Sequence, residues 1–300
     1  MNNRKAVFLL TLVVLTWGVN WTVTKIIVSQ MPPIWTTAIR AAIAAAALFL
    51  FQAATRTLIM PGRRDLPAIL VVSVFHMVLF AMGMAIGLQY ISVGRSVVLG
   101  YTTPLWVAPC AWLFLREPMP RLKVLGVVLG LLGLLVLLNP AALDWNDRNA
   151  LFGNALLLLA AVAWAVSILC VKAFTWYHTP FQLVPWQNLV AAVLMTVLAF
   201  GFEGPLDVTP TWNLTIAMAY NALISTAFGF WAITVVNTHF SATTTSLALL
   251  ATPVVGIVSS LLMIGEGIDL PLIIAGAMIL AGIGIGTVNW SQVGKRRHAR

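Results

Sequence analysis

The reading turns on LTWGVNWTVTK at Leu15–Lys25, which runs into MPPIWTTAIR at Met31–Arg40 and then an alanine-rich apolar run. Half a chain later the pattern returns as AWAVSILCVK at Ala163–Lys172 and HTPFQLVPWQ at His178–Gln187, again before an apolar run. Trp17, Lys25 and Pro33 recur 147 residues on, as Trp164, Lys172 and Pro180. Further along, the spacing becomes 149: Thr103-Pro104 returns as Thr252-Pro253, Glu117 as Glu266 and Gly133 as Gly282. A TP pair inside an apolar run and a glutamate at its end, both recurring in one register, mark a repeated unit. Two residues were added between its segments.

The unit is built for lipid. The 300 residues are 61% hydrophobic and 8% charged, where a soluble domain carries roughly a quarter charged residues. The first run follows Arg4 and Lys5 as a signal peptide would. It continues from about residue 6 to 28, long enough to span, with no small-residue cleavage site, and reads as an uncleaved first helix. The formal charge of +9 fits basic inner loops rather than nucleic-acid binding. Cys110 and Cys170 fall inside apolar runs, which argues against a disulfide framework.

Ten runs are long enough to cross a bilayer: 5–28, 33–53, 66–88, 93–115, 121–139, 150–172, 180–202, 212–236, 242–264 and 270–290. The fold class is therefore an all-α integral membrane protein. The first repeat takes residues 1–140, the second 150–290, and a basic tail 291–300. With the N-terminus cytoplasmic, 13 of the 17 basic residues fall on the inner side, among them Arg63, Arg64, Arg121, Lys172 and the Lys295–Arg297 cluster. Lys25, Arg40, Arg95 and Arg148 are the rest. An even number of spans puts both termini inside. Each repeat has an odd number, so the second half is inverted relative to the first. Inverted repeats of this kind are a transporter architecture, with the substrate site at mid-depth between them.

These residues resemble a known family. Trp17-Gly18, Lys25, Pro33, the stretch ending in Arg40, Glu117 closing the fourth span and the glycine-rich fifth span are similar to an EamA repeat of the drug/metabolite transporter superfamily. The second copy departs from the first at Ala165, against Gly18, and at Gln187, against Arg40. The resemblance covers nearly the whole chain. It implies a ten-helix transporter and, in its most similar branch, export of amino acids, aromatic ones included, from bacteria across the inner membrane.

Polarity separates lining from periphery. The fifth and tenth spans carry almost no polar side chain but have glycines three or four apart (Gly126, Gly130, Gly133; Gly282, Gly286), which suit close helix packing. They are placed at the edge. Mid-depth polar or aromatic residues mark the others: Trp17, Asn20, Trp21 and Thr24 on one face of the first span; Ser73 and His76 with Phe80; Tyr101 to Thr103; Trp164 and Ser167; Asn221, Ser225 and Thr226; Thr243 to Ser246 and Thr252. Such groups are costly in hydrocarbon unless they face protein or water. The expected substrate-binding set is Trp17, Asn20, Trp21, His76, Tyr101, Trp164, Ser167 and Ser225. Trp35, Trp145, Trp176 and Trp212 read as an interfacial belt.

Several residues keep two readings. His76 is the ionisable group nearest a span centre, a substrate or proton contact on one reading and a buried structural histidine on the other. Pro104 and Pro253 free the carbonyls of Gly100 and Leu249. These either receive a substrate ammonium or are re-satisfied at a simple kink, the favoured reading, and either way the break serves as a hinge. Lys25 and Lys172 are expected to snorkel. Arg40 either binds a carboxylate or locks helix-end carbonyls, and the structural role is favoured. Glu117 and Glu266 are placed at the inner and outer mouths as gates.

All eight acids lie in loops or at helix ends. A proton-coupled exporter of multivalent cations wants a carboxylate inside a span, so an acid-free, aromatic-rimmed cavity better suits a neutral or zwitterionic solute. Export of amino acids by alternating access is the expected function, with cationic drugs or other small metabolites as the alternative and a membrane enzyme or sensor as the reading from another class. No cofactor, metal site or nucleic-acid partner is expected. The expected partners are a small-molecule substrate, an amino acid, and the bilayer. The chain is read as a monomer, with a dimer through the fifth and tenth spans left open.

Overall fold

The computed structural model describes residues 3–138, 146–240 and 242–287. Within them the chain forms ten helical spans and no strand. They are α1 (Asn3–Val28), α2 (Pro33–Ala54), α3 (Leu66–Tyr90), α4 (Val93–Leu115), α5 (Arg121–Leu138), α6 (Arg148–Ala173), α7 (Pro180–Phe202), α8 (Trp212–Asn237), α9 (242–264) and α10 (Leu270–Thr287). The first eight are long and apolar enough to cross a membrane. This is a multi-pass membrane protein. The region 139–145, with Trp145, and the basic tail lie outside the described residues.

Helix starts follow local chemistry. Asp147, Thr179 and Thr211 each accept a backbone N–H from the first turn of the helix they precede, and Thr179 with Gln182 closes a capping box. The Pro32-Pro33 entry to α2 has no such side chain. Glu203 from the other half supplies it, accepting from the Ile34 N–H at 2.8 Å and the Trp35 N–H at 2.9 Å. Trp35 also donates from its indole to Gly204 and packs edge-on against Phe200. It is buried, so its placement in an interfacial belt is corrected: helix-start donors needed acceptors, and the loop carrying Glu203 covered the ring. Trp212, 77% exposed, has the accessibility of a belt residue.

The packing has the two-fold character the repeats imply. α2 packs on its own counterpart α7, and α5 on α10, while α1 against α8 and α9 is mirrored by α6 against α3 and α4. Between α5 and α10 the approach is so close that a Cβ on Gly126 would meet the Gly282 carbonyl, and one on Gly282 would meet that of Gly126. The glycine stripes are thus spent on each other within one chain. In lipid, helix association rests on such van der Waals contact rather than on a hydrophobic drive. Two apolar clusters, one around α2 and α7 and one around α4 and α10, flank the middle of the bundle.

Two departures from regular helix also come as a pair. α4 breaks after Gly100 and resumes at Thr103, and α9 breaks after Leu249 and resumes at Thr252. The centres of α3 and α8 widen to π-helix over Val72–Phe80 and Tyr220–Phe228. Such segments are rare and gather at functional sites.

Candidate functional site

A cavity with about 830 Å³ of empty space, open solvent at its mouth included, sits between the halves. α1 supplies Trp17, Asn20 and Trp21, and α2 supplies Arg40 and Ala41. The π-helical part of α3 brings His76, Met77 and Phe80, and that of α8 brings Ser225 and Thr226, followed by Phe230. Tyr101 comes from the break in α4, Trp164 from α6 and Asn188 from α7. Repeat counterparts face each other here: Trp17 and Trp164, Ala41 and Asn188, His76 and Ser225.

The walls are aromatic. His76 stacks on Trp164 with centroids 5.2 Å apart and planes within 4°, and Phe80 packs on the same indole at 4.8 Å. Tyr101 meets Trp164 edge-on at 6.4 Å, and Trp21 meets Phe80 likewise. Aromatic pairs of this kind add about 0.5–1.5 kcal/mol each beyond their burial, enough to hold the rings as a fixed box.

The π-helix has a direct use. In α register the Gly229 N–H would bond to Ser225; here it reaches one residue further back, to Ile224. The Ser225 carbonyl accepts instead from the Trp17 indole at 3.0 Å, which fixes that ring across the inter-repeat boundary.

Seven of the eight expected binding residues therefore meet at one cavity. Ser167 does not: it is buried but outside the lining, one turn beyond Trp164 and rotated away. Thr24 is buried between the Asn20 carbonyl and the Asn221 amide. Ser73 is spent on the carbonyls of Ile69 and Gln187. Hydroxyls in a helix readily bond their own backbone, which lets them pack without a cavity. Residues of α9 do not line the cavity among those described; the side chains of Thr243 and Ser246 lie outside the described residues.

The first proline site is re-satisfied locally. The Gly100 carbonyl freed by Pro104 accepts from the Thr103 hydroxyl at 2.9 Å, and Thr102 closes on Leu99, so the freed Gly100 carbonyl has a partner within its own helix. Arg40 is the opposite surprise. It lines the cavity, forms no hydrogen bond or ion pair among the described residues, and its Nε is buried without a partner. The expected lock on helix-end carbonyls is absent. Asn188 and Phe230 were not singled out from the sequence. Asn188 was findable, being polar at mid-depth in an apolar helix; Phe230 was not, because one more phenylalanine in an apolar run carries no signal.

The two mouths are held differently. At one end the Lys25 ammonium donates to the carbonyls of Leu88 and Ile91, closing α1 onto the end of α3. This is a tie rather than snorkelling. Beside it Glu266 accepts the Val93 N–H at 2.7 Å, holding the start of α4. At the other end the counterparts pair with each other: the Lys172 ammonium donates to Glu117 at 3.0 Å, with Lys123 3.8 Å away. The Lys172 ammonium, through its hydrogen bond first, holds the Glu117 carboxyl below the usual carboxylate range.

Residues 4–139 and 151–287 both match the EamA-like transporter family. The chain belongs to this family. As an EamA-like transporter it is similar to an uncharacterized transporter of Bacillus subtilis, at 29% identity over 93% of this chain and 96% of that one. It is similar also to a Salmonella typhimurium protein described as a probable amino-acid metabolite efflux pump, at 28% identity over 99% of both chains. A solved crystal structure shares the fold with a TM-score of 0.66 at 19% identity, covering 99% of each chain. The EamA-like chain is thus a transporter and not an enzyme, and its cavity lies where the two matched segments meet.

Proposed function

We propose that this transporter exports amino acids, aromatic and other neutral ones among them, across the bacterial inner membrane by alternating access. The observation that carries the reading is the cavity: aromatic-walled, placed between the halves, and lined by no carboxylate among the described residues. Trp17, Trp21, Trp164 and Tyr101 suit an apolar or aromatic side chain, and Asn20, His76 and Ser225 suit a polar end. The name of the Salmonella relative points the same way. A multivalent cation would find no counter-charge.

The basic-residue bias supports a cytoplasmic position for both termini and the Lys172 end. Alternating access then exchanges the two arrangements of the mouths. In the opposite state Lys172 takes the carbonyls of Asn237 and Phe240, the counterparts of Leu88 and Ile91, and Glu117 takes the N–H of Ala242. Lys25 and Glu266 would then pair with each other, and the breaks at Pro104 and Pro253 would be the hinges. The unit works as a monomer; a dimer would have to use the outer, leucine-rich faces of α5 and α10.

Proteoliposomes loaded with labelled amino acids test the reading, with and without a pH gradient. Saturable efflux of at least one neutral amino acid is expected. Absence of flux for every amino acid tried would overturn it.

A further inference from the structure

The cavity has two loose ends that differ in kind. Arg40 stands on α2 facing it, with a guanidinium that bonds to nothing among the described residues and an Nε sealed from solvent. On α1 the Asn20 side-chain oxygen is likewise buried with no donor. One is a charged donor without an acceptor, the other a neutral acceptor without a donor. A buried charge left unpaired is far more costly than a buried amide left unpaired. The arrangement is also not a by-product of the repeat: the counterpart of Arg40 is Gln187, which is buried outside the lining, so only one half places a charge here.

We propose that Arg40 receives the carboxylate of the substrate, and that the carboxylate rather than the amine is the group the site requires. This rests on the transport reading above and narrows it. The planar guanidinium fork matches a carboxylate bidentately. Asn20 accepts one N–H, which a free amine and an acylated amine both offer. The substrate class is then monocarboxylates with an apolar or aromatic side chain, whether the amine is free or acylated. Deaminated acids bind less well, because Asn20 stays unpaired. Amines and esters that lack the carboxylate leave Arg40 buried and unpaired, and an amine adds a like charge beside it.

The test is a matched panel on the purified transporter: phenylalanine, N-acetylphenylalanine, 3-phenylpropionate, phenylalanine methyl ester and phenylethylamine. Binding is read by the fluorescence of the cavity tryptophans excited where phenyl rings do not absorb, and flux by counterflow in liposomes. Phenylalanine and its N-acetyl derivative are both expected to bind, and 3-phenylpropionate about tenfold more weakly for the lost hydrogen bond to Asn20. The ester and the amine should bind on the order of a hundredfold more weakly or worse. Arg40→Gln, which copies the residue of the other repeat, should bring acid and amine to similar affinity; Arg40→Lys should keep the acid preference while weakening it. A structural arginine would lower the amount of folded protein without altering the acid-to-amine ratio. Equal binding of phenylalanine and phenylethylamine by the unmodified protein overturns the proposal, and needs no variant to fold. Flux of the amine alone would sink this inference and leave transport standing. Loss of all flux with the acid preference intact in binding would sink the transport reading instead.

Discussion

Arg116 shows how one residue can carry a repeat's geometry against its own preference. It ends α4 in the left-handed region at φ 55°, and its counterpart 149 residues on, Gly265, ends α9 at φ 69°. Glycine adopts that conformation freely, whereas a residue with a Cβ is strained there by about 1 kcal/mol. Arg116 is exposed and Gly265 has open space around it, so neither packs in a way that would mask the effect. Arg116→Gly is expected to raise stability in detergent by about 1 kcal/mol and Gly265→Ala to lower it by a similar amount, read from thermal unfolding. Equal and opposite shifts identify backbone strain. A loss in both would mean that the Arg116 side chain matters instead. At the same scale, Trp17→Phe keeps the ring but removes the donor to Ser225. Stability should fall by about 1 kcal/mol, read from thermal unfolding.

Elements set what those residues can reach. The contact of α5 with α10 depends on bare backbone at Gly126 and Gly282. Gly126→Leu forces the helices apart and should cost on the order of 2–3 kcal/mol. Leu135→Ala on the lipid-facing side of the same helix, where Leu135 is 54% exposed, should stay within about 0.5 kcal/mol. Similar losses in the two variants would place the important face of α5 on the outside. The tie between the α4 end and the α6 end is electrostatic. Glu117 is held below the usual carboxylate range by Lys172, so its contribution is present above the unfolded carboxylate pKa and is lost as pH falls through the lower folded value. The pair is a third to a half exposed, which makes the effect small. The melting temperature should be flat in this respect from pH 8 to about 5 and decline as pH falls through the carboxylate range. In Glu117→Gln that acid limb should be shallower; an unchanged limb would assign it to other carboxylates.

For the whole molecule, the informative comparison is between the two mouths. Lys25 ties α1 to the carbonyls at the end of α3, while Lys172, its counterpart, pairs with Glu117. Two nearly equivalent ends in different arrangements are what a two-state machine requires, because only a difference between states can be shifted by a substrate. Lys25→Met should loosen one mouth and Lys172→Met should bias against the exchanged state. Cysteine-labelling rates at Ser92 and Thr179, single sites introduced at opposite ends after Cys110 and Cys170 are replaced by alanine, measure this: the first variant should speed labelling at 92 and leave 179 slower or unchanged. Uniform changes at both ends would mean general loosening and not a shift between states.

How much was legible before the fold depended on the kind of physics involved. The ten spans, their ends within a few residues, the repeat and its family resemblance lay in composition, run length and register, all properties of neighbours along the chain. So did most of the cavity, because a tryptophan, asparagine or histidine at mid-depth in lipid must face inward. What only the tertiary structure decided was how polar groups were divided between packing and cavity. Thr24, Thr103, Ser73 and Ser167 carry the same kind of hydroxyl as Ser225, and the chain alone does not say which will find a partner at a helix contact. Nor does it say that Arg40 finds none. The π-helical centres of α3 and α8 likewise share no composition that marks them, the first being strongly apolar and the second carrying Asn221, Ser225 and Thr226. Satisfaction of a buried polar group depends on atoms a hundred or more residues away, and that is information only the folded chain holds.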